Sequence, residues 1–163
     1  MKKLLLSIFT FASIVTQAQV TTVFSENIGS PTGTTVYTAY TGWQNNGTLT
    51  FTGTGDVRST SPSTNAYTGA SGAGNVFLTT NAASKTLIIS NINTTGYTAL
   101  NLAFGLMKNT TASNGSELTV EVSTDGIAYT ALSFPALPTG SGTANWKWVK
   151  ATGTIPAVAN LRI

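Results

Sequence analysis

Apolar residues along this chain recur at every second position, in short bursts, rather than at every third or fourth. Between residues 98 and 107 they are Leu100, Leu102, Phe104 and Leu106. Residues 117–123 set Leu118, Val120 and Val122 on one side and Thr119 and Glu121 on the other. Residues 146–151 alternate Trp146 and Trp148 with Lys147. A period of two places successive side chains on opposite faces of a β-strand. No stretch beyond residue 20 sustains the 3.6-residue period of a helix.

Further strands are expected at residues 20–28, across 34–43, around Leu49, Phe51 and Val57, and at 75–79, 85–90, 127–132 and 161–163. Asp125-Gly126 is a hairpin signal between two of them. Residues 58–75 form a long polar loop, and Tyr67 amid its small residues predicts a loop pinned to the body of the domain. Trp146 and Trp148, two apart, point the same way, and the expectation for both is the inner face. Eight or nine short strands at roughly ten-residue spacing predict an all-β fold, a two-sheet antiparallel β-sandwich of jelly-roll type.

The two ends carry separate information. Met1-Lys2-Lys3, an apolar run from Leu4 to Val15 and the small residues of Thr16-Gln17-Ala18 make a tripartite secretory signal. The apolar run is about a dozen residues, short of the roughly 20 that span a bilayer. The expected division is therefore a cleaved signal peptide at 1–18 and a β-sandwich at 19–163, acting as a secreted, extracellular domain. At the other end the chain stops at Leu161-Arg162-Ile163 in mid-alternation. The expectation is a half-made strand that leaves a neighbour's edge unpaired, in a domain truncated before its final strand.

Composition sharpens this picture. Charged residues are 8% of the 163, against roughly 25% in ordinary soluble domains. Thr, Ser, Asn and Gly take their place, giving strands and tight connections under a neutral hydroxyl and amide surface. The formal charge of +3 includes Lys2 and Lys3; the remainder has six cations against five carboxylates. Without a basic stripe, the long-range attraction that drives nucleic-acid binding is missing. There is no Cys and no His. That removes disulfides, thiolate nucleophiles, His-dependent triads and His-bound zinc. Glu117 and Glu121 are the only close acidic pair, and they lie opposite the apolar set, as solvated side chains do. The expected protein is not an enzyme.

Binding chemistry rests on rings. Flat aromatic side chains offer apolar area to a sugar face, while amides and hydroxyls read its equatorial groups. Tyr37, Tyr40, Trp43 and Tyr67 fall in or near loops, with Asn45 and Asn46 beside Trp43. Tyr40, Trp43, Asn45 and Tyr67 are the candidate ligand-binding residues. The competing expectation is that these rings cap the core, as rings near the ends of a sandwich usually do.

With the strands placed, Val120 to Gly126 followed by Ala128-Tyr129-Thr130 resembles the hairpin of galactose-binding-like jelly rolls and carbohydrate-binding modules. Phe24-Ser25-Glu26 resembles their opening strand, and residues 100–110 resemble their central strand and its exit loop. The mature chain is similar to β-sandwich accessory domains of secreted Bacteroidota proteins exported by type IX secretion. The resemblance implies a structural Ca²⁺ with Glu26 as a ligand and an Asp of a following strand as its partner. It also implies a non-catalytic accessory module that binds glycan or a cell-surface polymer, beside a fused downstream domain. The alternative is a structural or adhesive spacer in a larger surface protein. No nucleic acid is expected as partner, and no membrane after signal cleavage.

Overall fold

The structure, a computed structural model, describes residues 20–70, 72–79 and 83–163. The signal expected at 1–18 lies outside the described residues. Among those described there is no α-helix. Nine strands follow in order: β1 (Thr35–Val36), β2 (Thr50–Gly53), β3 (Asp56–Arg58), β4 (Asn75–Phe77), β5 (Leu87–Ser90), β6 (Ala103–Leu106), β7 (Val120–Val122), β8 (Thr130–Leu132) and β9 (Lys147–Lys150). A single 3-10 turn, Tyr37–Ala39, follows β1. The fold is all-β, built from antiparallel pairs: β1-β3-β4, β2-β5, β6-β9 and β7-β8. Among the described residues there is no closed barrel.

Single-residue bridges link these small sheets. Ile163 exchanges both backbone hydrogen bonds with Ile89, Leu161 with Ile92, and Arg162 with Ser123. Residues 161–163 are thus bonded to β5 and the residues after it on one side and to the end of β7 on the other. Apart from these bridges, residues 161–163 form no strand of their own. Ser133 and Thr152 likewise exchange hydrogen bonds at 2.7 and 2.9 Å and join β8 to β9.

Alternation explains the core. Val57 is fully buried at the centre of β1-β3-β4, while Asp56 and Arg58 beside it point to the other face. There they pair with each other, and the Arg58 guanidinium lies 3.6 Å above the Phe77 ring. Phe51, Ile92, Val122, Leu132 and Leu161 bury into one cluster with Tyr37 and Trp43. Tyr37 is 2% exposed, and its hydroxyl has no hydrogen-bond partner. Burial above all, and then the Asp56 charge, push that hydroxyl's pKa well above the ordinary tyrosine range, against the opposing pull of Arg58. A buried hydroxyl without a partner forfeits its hydration and gains nothing in return. Tyr37→Phe is therefore expected to raise stability by about 1 kcal/mol, read as a higher urea midpoint at unchanged slope. A lower midpoint would show that the hydroxyl has a partner.

Three expectations need correction. Residues 20–28 form no strand. The Glu26 and Asn27 side chains capture the backbone N–H groups two residues on, at 2.8 Å each, and Ile28 adopts a left-handed φ of 64°. Local side-chain bonds of this kind compete with a sheet ladder. The second concerns 98–107, of which only the second half is strand: Ala99 sits at φ 52° and interrupts the extended run. The third is the hairpin after β7, whose connection spans the seven residues 123–129 rather than a tight two-residue turn. Ser123 Oγ accepts the Gly126 N–H, and Asp125 Oδ1 accepts those of Ile127 and Ala128 at 2.8 and 2.9 Å. The two bonds to Asp125, with a third from the Ser123 hydroxyl, hold its carboxyl below the usual range. Gly126 turns at φ 76° beneath the Arg162 guanidinium, where a Cβ would collide with Nη1.

Candidate functional site

The structure divides the ligand-binding residues expected from the sequence into two places. Tyr40, Trp43 and Asn45 come together with Glu26, but as a structural knot. Trp43 is 5% exposed and stacks on Phe51, with centroids 4.2 Å apart and planes within 3°. Tyr40 meets it edge-on at 5.2 Å, and Tyr37 packs against it at 5.9 Å. A ring covered in this way has no face left for a sugar, so Trp43 belongs to the core and not to a binding platform. The Tyr40 hydroxyl is likewise occupied, donating to the Ile28 carbonyl at 2.6 Å. Asn45 Nδ2 donates to the Ser25 carbonyl and to Glu26 Oε2.

Glu26 ties this knot. Its Oε1 accepts the backbone N–H groups of Ile28 and Gln44, both at 2.8 Å. Its Oε2 accepts the backbone N–H and the side-chain amide of Asn45, both at 3.0 Å. Calcium needs six to eight oxygen ligands. Here the carboxylate is ringed by four N–H donors, whose positive ends oppose a cation. Among the described residues no group of three or more carboxylates assembles around it or elsewhere. The residues present do not fit a Ca²⁺ at Glu26. What Glu26 does is staple the segment after residue 24 to the loop at 44–45.

A cation does hold loops together elsewhere, and it belongs to the chain itself. Lys108 is 5% exposed, with its ammonium among the carbonyls of Ser113 at 2.7 Å, Thr111 at 3.5 Å and Pro138. The hydroxyl of Ser113 donates to Glu117 at 2.7 Å and, with the backbone and the nearby Lys108 charge, holds that carboxyl below its usual range. No signal beyond the position of Lys108 at the end of an apolar strand marked it.

Tyr67 is in the second place, on the outer face of β6-β9. Register pairs Phe104 with Val149 and Gly105 with Trp148. Val149 is buried, so Trp148 must point outward, and it is 54% exposed. This overturns the expected inner position of Trp146 and Trp148. Tyr67 lies against Trp148 with centroids 5.3 Å apart and planes at 34°. Its hydroxyl sits over Gly105, 2.2 Å from where a Cβ would be, so only glycine leaves room. Trp146 Nε1 donates to the Ser61 carbonyl at 3.0 Å, and Asn75 Nδ2 donates to the Thr60 and Ser61 carbonyls. The Tyr67 and Trp146 contacts tie the loop at residues 61 and 67 to β9 and the residue before it. Within that loop Pro62, Thr64, Asn65, Ala70, Gly72 and Ala73 line an open hollow of about 390 Å³.

The face therefore offers an exposed indole braced by a phenol ring, with hydroxyls and an amide in the loop that Tyr67 anchors. Tyr67 is the one residue that sequence reasoning assigned to a binding face and that lies here. Trp148 was missed because alternation does not say which side is inner. The usable signal was Gly105, a glycine inside an apolar strand, which marks close approach of another group. No protein-family model, curated protein or solved structure matches the chain.

Proposed function

We propose that this protein is a non-catalytic binding module that presents Trp148 and Tyr67 to the face of a sugar ring. The observation that carries the proposal is the half-exposed Trp148, braced by Tyr67 through the gap at Gly105. An indole left outward beside a second ring offers a flat apolar face, with its N–H edge, that a sugar ring can cover. Two further features support the reading: the low-charge, hydroxyl-rich composition and the resemblance of 120–130 to the hairpin of galactose-binding-like jelly rolls. The same proposal includes export through the signal at 1–18, an extracellular location and a sandwich of jelly-roll type.

Affinity electrophoresis through gels loaded with a panel of polysaccharides tests it. Trp148→Ala is expected to weaken retention at least about tenfold, the loss of roughly 1.4 kcal/mol of ring contact. The same substitution should change folding stability by no more than about 1 kcal/mol, because the ring is half in solvent. Retention on no polysaccharide would abandon sugar binding in favour of a spacer domain.

A further inference from the structure

The outer face that carries Trp148 also carries an unpaired positive charge. Lys150 lies two residues further along β9, so it projects from the same side, and it is exposed. Its partner on β6 is Ala103, as the partner of Trp148 is Gly105. Neither small side chain rises between the sheet and a bound molecule. Among the described residues the one ion pair is Arg58 with Asp56, and the Lys150 ammonium has no carboxylate partner. The carboxylates of this chain are committed elsewhere. Glu26 is ringed by amides, Glu117 takes the Ser113 hydroxyl and Asp125 closes its own hairpin. Glu121 stands on β7, paired with β8 and not with β6 or β9. An exposed ring with a free cation two residues away, and no carboxylate on either strand, is complementary to a sugar that bears a negative charge.

Resting on the sugar-binding reading above, we infer that the ligand is an acidic polysaccharide. One ring lies on Trp148, and the carboxylate of a uronic acid residue pairs with Lys150. Lys147, by alternation, projects to the other side of β9 and takes no part. A single strand-borne ammonium in water contributes modestly, so its removal reads as discrimination more than as loss of all binding.

Polygalacturonate and its methyl ester separate the charge from the ring, because esterification neutralises the carboxylate and leaves the sugar in place. The wild-type protein is expected to prefer the acid form about fivefold at low salt, and rising salt should erase the preference. Lys150→Gln should bring the acid form down to the level of the ester, with the thermal midpoint unchanged. Lys85→Gln, an exposed lysine ahead of β5, should leave both alike. Equal retention of acid and ester, both lost in Trp148→Ala, would overturn the acidic ligand and leave the sugar platform standing. Retention of neither polymer, nor of any in the wider panel, would overturn both. Tighter binding of oligothymidylate than of polygalacturonate would overturn the inference in favour of single-stranded nucleic acid, which also stacks on rings beside a cation.

Discussion

Trp43→Ala is expected to destabilise the fold by about 4 kcal/mol, in the range for deleting a buried indole from a packed core. Trp43 touches Phe51, Tyr37 and Tyr40, so its loss opens a cavity that three rings line. Relaxation can fill only part of it, because Tyr40 is tethered through Ile28 and Phe51 is fixed in β2 by its register with Ile89. A domain of this size has about 5–15 kcal/mol in hand, so the variant should fold, if at all, with a sharply lowered urea midpoint. Its sugar binding, corrected for the folded fraction, should match the wild type. A variant of native stability that no longer binds would return Trp43 to the ligand face. Trp148→Ala is its mirror image: stable, and deficient in binding.

The second large effect is expected at Lys108. Its ammonium gives a charge-assisted bond to the Ser113 carbonyl and faces those of Thr111 and Pro138 from a buried position. Met is close to lysine in shape without the charge, so Lys108→Met isolates the electrostatic contribution. Losing these bonds and leaving carbonyls against a thioether should cost about 3 kcal/mol. For roughly 150 residues that corresponds to a fall of about 6–12 °C in the thermal midpoint. Lys108→Arg should rescue only in part, because a planar fork does not match carbonyls arranged for a point charge. An unchanged midpoint in Lys108→Met would mean that water replaces the ammonium without loss.

Much of the strand pattern was legible because it depends on neighbours in sequence. The triplets Asp56–Arg58 and Val120–Val122 each set their buried valines by simple alternation. The segment at 20–28 misled because its β-branched residues favour a strand, whereas Glu26 and Asn27 supply competing bonds that only a placed backbone reveals. The binding face misled differently. Trp43 lies among polar residues, as an exposed ring would, yet Phe51 meets it from eight positions away. Trp148 lies in an alternating strand, as a core ring would, yet Val149 takes the interior.

From the sequence alone came the all-β class, most of the strands between residues 75 and 150, the absence of thiol and imidazole chemistry, and the pinning role of Tyr67. Each follows from residue identity or from a period of two, both of which are local. Tertiary structure decided three other matters: which side of β9 faces the core, that Glu26 binds amides, and that Lys108 gathers the carbonyls of two loops. Alternation fixes how side chains lie relative to one another along a strand, but the partner strand decides which set is covered. At Trp148 that partner is Gly105, and the room it leaves for Tyr67 puts the indole in solvent.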